Sequence, residues 1–147
     1  MIDLLKPKAV LFSLGILLSI GVSAQCKGFT KRNCLPGLEP YLSNGQLNAA
    51  KMTAGQNAEV QLTFNKGLSY RLLVCTDPYF ENTTYQIKGM DSTVLATDTI
   101  SDTYAVQDIQ VDQTQPLKLE IQLPEIENTT GIVRDGCVTI LIGFKED

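Results

Sequence analysis

The sequence predicts an all-β, antiparallel β-sandwich, jelly-roll-like, with about eight strands behind a signal peptide. Three observations predict it. Ala58–Phe64 and Leu117–Leu123 alternate apolar and polar residues without a fault, the mark of strands with one dry face and one wet face. No window of 11 residues shows a convincing 3.6-residue period with caps. Turn residues recur at short intervals between apolar-rich runs, as in sandwiches and barrels.

The elements follow in chain order. Residues 1–24 read as a secretion signal: Lys6 and Lys8, the apolar run Ala9–Gly21, then the small residues Val22-Ser23-Ala24 before a cut at Gln25. The apolar run is shorter than the roughly 20 residues that span a bilayer, so no integral membrane segment is expected after cleavage. Gln25 stands where a lipobox has a small residue, which argues against lipid on Cys26. The location expected is secreted or periplasmic.

Residues 25–44 read as an irregular segment held by a disulfide, since Pro36, Gly37 and Pro40 oppose a helix. Residues 45–147 form the sandwich. Its strands are expected at Gln46–Thr53, Ala58–Phe64, Leu68–Cys75, Thr84–Gly89, Thr93–Thr97, Tyr104–Val111, Leu117–Leu123 and Val138–Phe144. Asn65-Lys66-Gly67 reads as a hairpin turn with glycine at a positive-φ position. Val60, Leu62, Phe64, Tyr70, Leu72, Val74, Leu119, Ile121, Val138, Ile140 and Ile142 form the expected core.

An even count of four cysteines in a secreted chain predicts two disulfides. Cys26–Cys34 and Cys75–Cys137 are the expected pairs, because Cys75 ends one strand and Cys137 begins another. Antiparallel neighbours would bring those ends together.

Chemistry is sparse. Without histidine, Ser-His-Asp and Cys-His catalysis and histidine-ligated metals are excluded. No glycine-rich phosphate loop is present. Losing Lys6, Lys8 and Asp3 with the signal takes the formal net charge of −4 to −5, a poor fit to nucleic acid or anionic membrane, so no nucleic-acid partner is expected. Asp91, Asp98 and Asp102, with Asp108 and Asp112, form the densest acidic run. The first three are the calcium candidates, though turn-forming and solubilising roles explain them as well. No cofactor and no catalytic residue are expected.

Asn82-Thr83-Thr84 and Asn128-Thr129-Thr130 match the N-glycosylation pattern. Asp91-Ser92-Thr93 and Asp98-Thr99-Ile100 resemble an Asp-Ser/Thr-apolar O-glycosylation pattern. Each predicts an exposed site.

Gly67-x-x-Tyr70-Arg71 leading into an apolar strand, then Asp91-Ser92-x-Val94-Leu95-Ala96 and the closing Val138–Phe144 strand, resemble bacterial pre-peptidase C-terminal domains. The span from Cys26-Lys27-Gly28-Phe29 to Gly136-Cys137 also resembles small secreted Bacteroidota proteins of unknown function. The resemblance implies an extracellular β-sandwich accompanying other proteins. The cysteines depart from the pattern.

The functional expectation is a non-catalytic binding or accessory domain whose partner is a protein or glycan of the cell envelope. A carboxylate-dependent glycan-active enzyme and a structural subunit of an envelope assembly are the alternatives.

Overall fold

A computed structural model describes residues 22–146, with side chains from residue 26 onward. The expected signal run before Val22 lies outside the described residues. Nine strands follow the N-terminal segment: β1 (Leu42–Ser43), β2 (Asn48–Thr53), β3 (Asn57–Phe64), β4 (Leu68–Thr76), β5 (Thr83–Lys88), β6 (Val94–Ile100), β7 (Tyr104–Gln110), β8 (Gln115–Gln122) and β9 (Asp135–Glu146). All eight expected strands are present. β1 is additional, a two-residue strand pairing Leu42 with Phe144.

The strands form two antiparallel sheets. In one, β9 lies between β4 and the successive strands β1 and β2, and β7 closes the edge beyond β4. The other runs β3-β8-β5-β6. Apart from β1–β2 and β5–β6, consecutive strands lie in opposite sheets, the jelly-roll manner of crossing.

The hairpin expected at Asn65–Gly67 is therefore corrected. β3 pairs with β8, whereas β4 pairs with β7 and β9. The turn carries the chain from one sheet to the other. Alternation fixes which face of a strand is apolar and leaves its neighbour open. Gly67 does adopt the positive φ, 85°, that the turn requires.

The inner faces make one core. Leu62, Phe64, Tyr70, Leu72, Val74, Leu119, Ile121, Val138, Ile140 and Ile142 are buried as expected. Val60 is half-buried because β3 is an edge strand. Phe64 meets Tyr70 edge-on, with ring centroids 5.0 Å apart, a favoured aromatic geometry.

β9 is buried on both faces, and the reason is the N-terminal segment. That segment is helical rather than irregular: helix α1 (Val22–Phe29), a wide turn at residues 30–34 and a tight turn at residues 35–38. Pro36, Gly37 and Pro40 all follow Cys34, so they end the helical stretch instead of preventing it. The segment lies as a strap across the outer face of the first sheet. There Cys34, Leu38, Leu73, Cys75 and Leu141 form a second, smaller core. Gly37 makes the close approach possible. A β-carbon there would sit 2.6 Å from Leu73 and 2.8 Å from the Tyr104 ring.

Both disulfides form, but the expected pairing is crossed: Cys26 joins Cys137, and Cys34 joins Cys75. The register explains the correction. Cys75 stands opposite Thr139, which puts Cys137 on the diagonal, beyond the reach of a disulfide without distortion. Cys26, Thr30 and Cys34, four residues apart in sequence, instead line the underside of the strap. Thr30 donates to the Cys26 carbonyl at 2.8 Å, so Thr139 donates to the Thr30 hydroxyl, also at 2.8 Å. The strap is thus fixed at three points: disulfide, hydrogen bond, disulfide. Two disulfides mark an oxidising, extracytoplasmic compartment. No helix among the described residues is long and apolar enough to cross a membrane.

Candidate functional site

A groove of about 580 Å3 lies between the β2–β3 turn and the loop at residues 123–134. The base of this loop is tied down. Leu123 N–H donates to the Gln56 carbonyl (3.0 Å), and Gly55 N–H donates to the Pro124 carbonyl (2.9 Å). Further out, the Asn128 carboxamide oxygen accepts from Thr130 N–H (3.1 Å), the Thr130 hydroxyl (3.1 Å) and Ile132 N–H (3.2 Å). This fan shapes the loop around one side chain. Beyond it stand Ile132 and Val133, each 69% exposed, followed by exposed Arg134. Two adjacent apolar residues held in solvent by an organised loop offer contact surface to another molecule.

Sequence marks this loop only at Asn128-Thr129-Thr130, whose glycosylation pattern predicts an exposed site. The Ile132-Val133 pair reads equally well as the start of the last strand.

The calcium candidates are spread out. Asp91 caps the β5–β6 turn, accepting from Thr93 N–H at 3.1 Å, and this bond lowers its pKa. Asp98 lies on β6 and accepts from Thr99 N–H at 2.8 Å. Asp102 follows β6 and accepts from the Thr103 hydroxyl at 3.4 Å. Among the described residues no three acidic, cysteine or histidine side chains gather as a metal would need. Millimolar calcium, compared with chelator, is expected to leave the melting temperature unchanged. A rise of several degrees that Asp98→Ala abolishes would restore the calcium reading.

Asp108 is engaged elsewhere. Arg71 grips it with two bonds, Nε–Oδ1 at 2.7 Å and Nη2–Oδ2 at 2.9 Å. Arg71 also donates to the Glu39 carbonyl at 2.8 Å and lies 4.6 Å from the Tyr41 ring centroid, tying the end of the strap to the sheet. The guanidinium hydrogen bonds hold the Asp108 carboxyl below its ordinary pKa, against the smaller opposing effect of burial. A depressed carboxyl stabilises the fold above its unfolded pKa of about 3.9, and that contribution is lost as pH falls through the folded value. Melting temperature measured against pH should therefore fall below about pH 4, and Asp108→Asn should flatten that limb. An identical acid limb in the variant would show that the pair does not carry it.

Glu59 and Glu120 stand directly opposite each other across β3 and β8, on the wet face of the second sheet. They line a groove of about 410 Å3. Lys118 lies 3.6 Å from Glu59, and Lys88 lies 2.5 Å from Glu120. Each carboxylate thus has its own ammonium partner. Acid and base roles require two carboxyls in unlike surroundings.

No family model matches the chain, and no curated protein matches it. Solved structures with a similar fold include three of low identity. A periplasmic inhibitor of g-type lysozyme from Aeromonas hydrophila shares 5% identity at a TM-score of 0.46, over 72% of this chain and 89% of that one. The VP2 subviral particle of infectious bursal disease virus shares 12% identity at 0.39, over 71% of this chain and 33% of that one. The carbohydrate-binding module CBM36, solved with calcium and xylotriose, shares 12% identity at 0.37, over 74% and 96%. At these values none of the three bears on function. The resemblance to pre-peptidase C-terminal domains and to Bacteroidota proteins is left with the β-sandwich alone.

Proposed function

We propose that the protein is a secreted or periplasmic, non-catalytic binding domain that grips an envelope protein through the loop at residues 123–134. The observation that carries this reading is the pair Ile132 and Val133, held 69% exposed by the Asn128 hydrogen-bond fan. The residues that carry most of the energy of a protein interface are those that become fully desolvated on contact. A loop braced at its base loses little further freedom on binding, which preserves affinity. The two-disulfide frame keeps that base in place.

The test is capture from the native envelope fraction, with mass spectrometry of bound protein. The parent chain should retain a discrete partner that Ile132→Asp and Val133→Asp each release. Both side chains are solvent-exposed, so the variants should fold. Equal capture by parent and variants would sink the loop reading.

The facing pair Glu59 and Glu120 supports a second reading, a carboxylate-dependent glycan-active enzyme, since cross-strand neighbours approach the roughly 5 Å separation of retaining glycosidases. Their equivalent lysine partners weigh against it. Glycan hydrolysis lost in Glu120→Gln would establish it.

A further inference from the structure

We infer a second binding site, for a neutral oligosaccharide, in the cleft at the end of the sandwich where the β1–β2 connection faces the β3–β4 turn. The cleft holds about 430 Å3, within the roughly 300–1,000 Å3 of small-ligand sites. Its rim carries four carboxamides: Asn44, Gln46, Gln61 and Asn65. Its floor is apolar and includes Tyr70 and half-buried Phe144. No charged residue lines it, although the whole chain carries a net charge of −4.

That combination is specific in kind. A carboxamide offers a donor and an acceptor side by side, which suits neighbouring sugar hydroxyls. Of the two aromatic residues only half-buried Phe144 offers accessible surface, which suits the C–H face of a pyranose. A rim without charge gives no preference to acidic or basic ligands.

Two details show organisation beyond ordinary surface polarity. Asn44 and Gln46 brace each other, with the Asn44 amide donating to the Gln46 oxygen at 3.3 Å and Gln46 N–H donating to the Asn44 oxygen at 2.9 Å. The Tyr70 hydroxyl accepts from Asn65 N–H at 2.9 Å. Tyr70 lines the cleft, and its hydroxyl proton has no acceptor among the described residues. A ligand hydroxyl would accept it. Gln61 and Asn65 side chains are likewise exposed and make no hydrogen bond among the described residues.

The test is calorimetric titration of the protein with cellotriose, maltotriose and mannotriose, alongside trigalacturonate as a charged control. At least one neutral trisaccharide should bind, with Asn65→Ala and Gln61→Ala each weakening it tenfold or more. Both side chains are exposed, so the variants should fold, and the Asn65 backbone bond to Tyr70 remains. Ile132→Asp should leave sugar binding unchanged, which separates this site from the loop at residues 123–134. Binding of none of the three, tighter binding of trigalacturonate, or indifference to both substitutions would overturn the inference.

Discussion

Cys137→Ser is expected to lower the stability of the protein by about 4–5 kcal/mol. The bridge it removes closes a separation of 111 residues, and chain entropy assigns roughly 4.7 kcal/mol to a loop of that size. Cys34→Ser opens a separation of 41 residues and should cost slightly less, about 4 kcal/mol. Cys34–Cys75 also holds the strap above Leu73 and Leu141. Denaturant unfolding of each variant gives the comparison, provided the slope is unchanged. Non-reducing peptide mapping gives the pairing independently. A Cys26–Cys34 peptide in the parent protein would contradict the architecture described here.

Phe64→Ala should cost roughly 3–5 kcal/mol, the range for emptying a buried aromatic site. Phe64 is 1% exposed and rests edge-on against Tyr70. It sits at the end of β3, where the chain leaves one sheet for the other, so the gap would open between the two sheets. Neighbouring Thr63 faces solvent, and Thr63→Ala should stay within about 0.5 kcal/mol. The two results together test the register of β3. Equal losses would mean that the alternation had been read one residue out of step.

These positions also show what a single sequence can reveal. Ala58–Phe64 and Leu117–Leu123 announce strand, face and buried side chains, because a period of two is a local property. Partner choice is not local. Nothing in β3 says that it pairs with β8 rather than with β4, and so Asn65–Gly67 reads as a hairpin when it is a crossing. The disulfide pairing is hidden from sequence for a related reason. Cys75 and Cys137 do lie on one face of adjacent strands, as their positions imply, but the stagger that sets them diagonally depends on the β4–β9 register. Spacing did hold a clue: Cys26, Thr30 and Cys34 recur every four residues, a helical interval. The candidate loop at residues 123–134 was least legible. Its character rests on exposure, and Ile132-Val133 in sequence looks like core.

The nested bridges set the order in which the molecule can be completed. Cys26 is the first cysteine to be synthesised and Cys137 the last. An oxidase joining thiols as they emerge would link Cys26 to Cys34, then wait for the remaining two. The native partners are instead first with fourth and second with third. Reaching them requires Cys26 to stay reduced until β9 has been threaded, or an exchange catalyst to undo the early link. Yield of the oxidised protein should therefore depend on a disulfide isomerase in the compartment where it matures, and the folded state carries, in its wiring, a record of the whole chain having arrived.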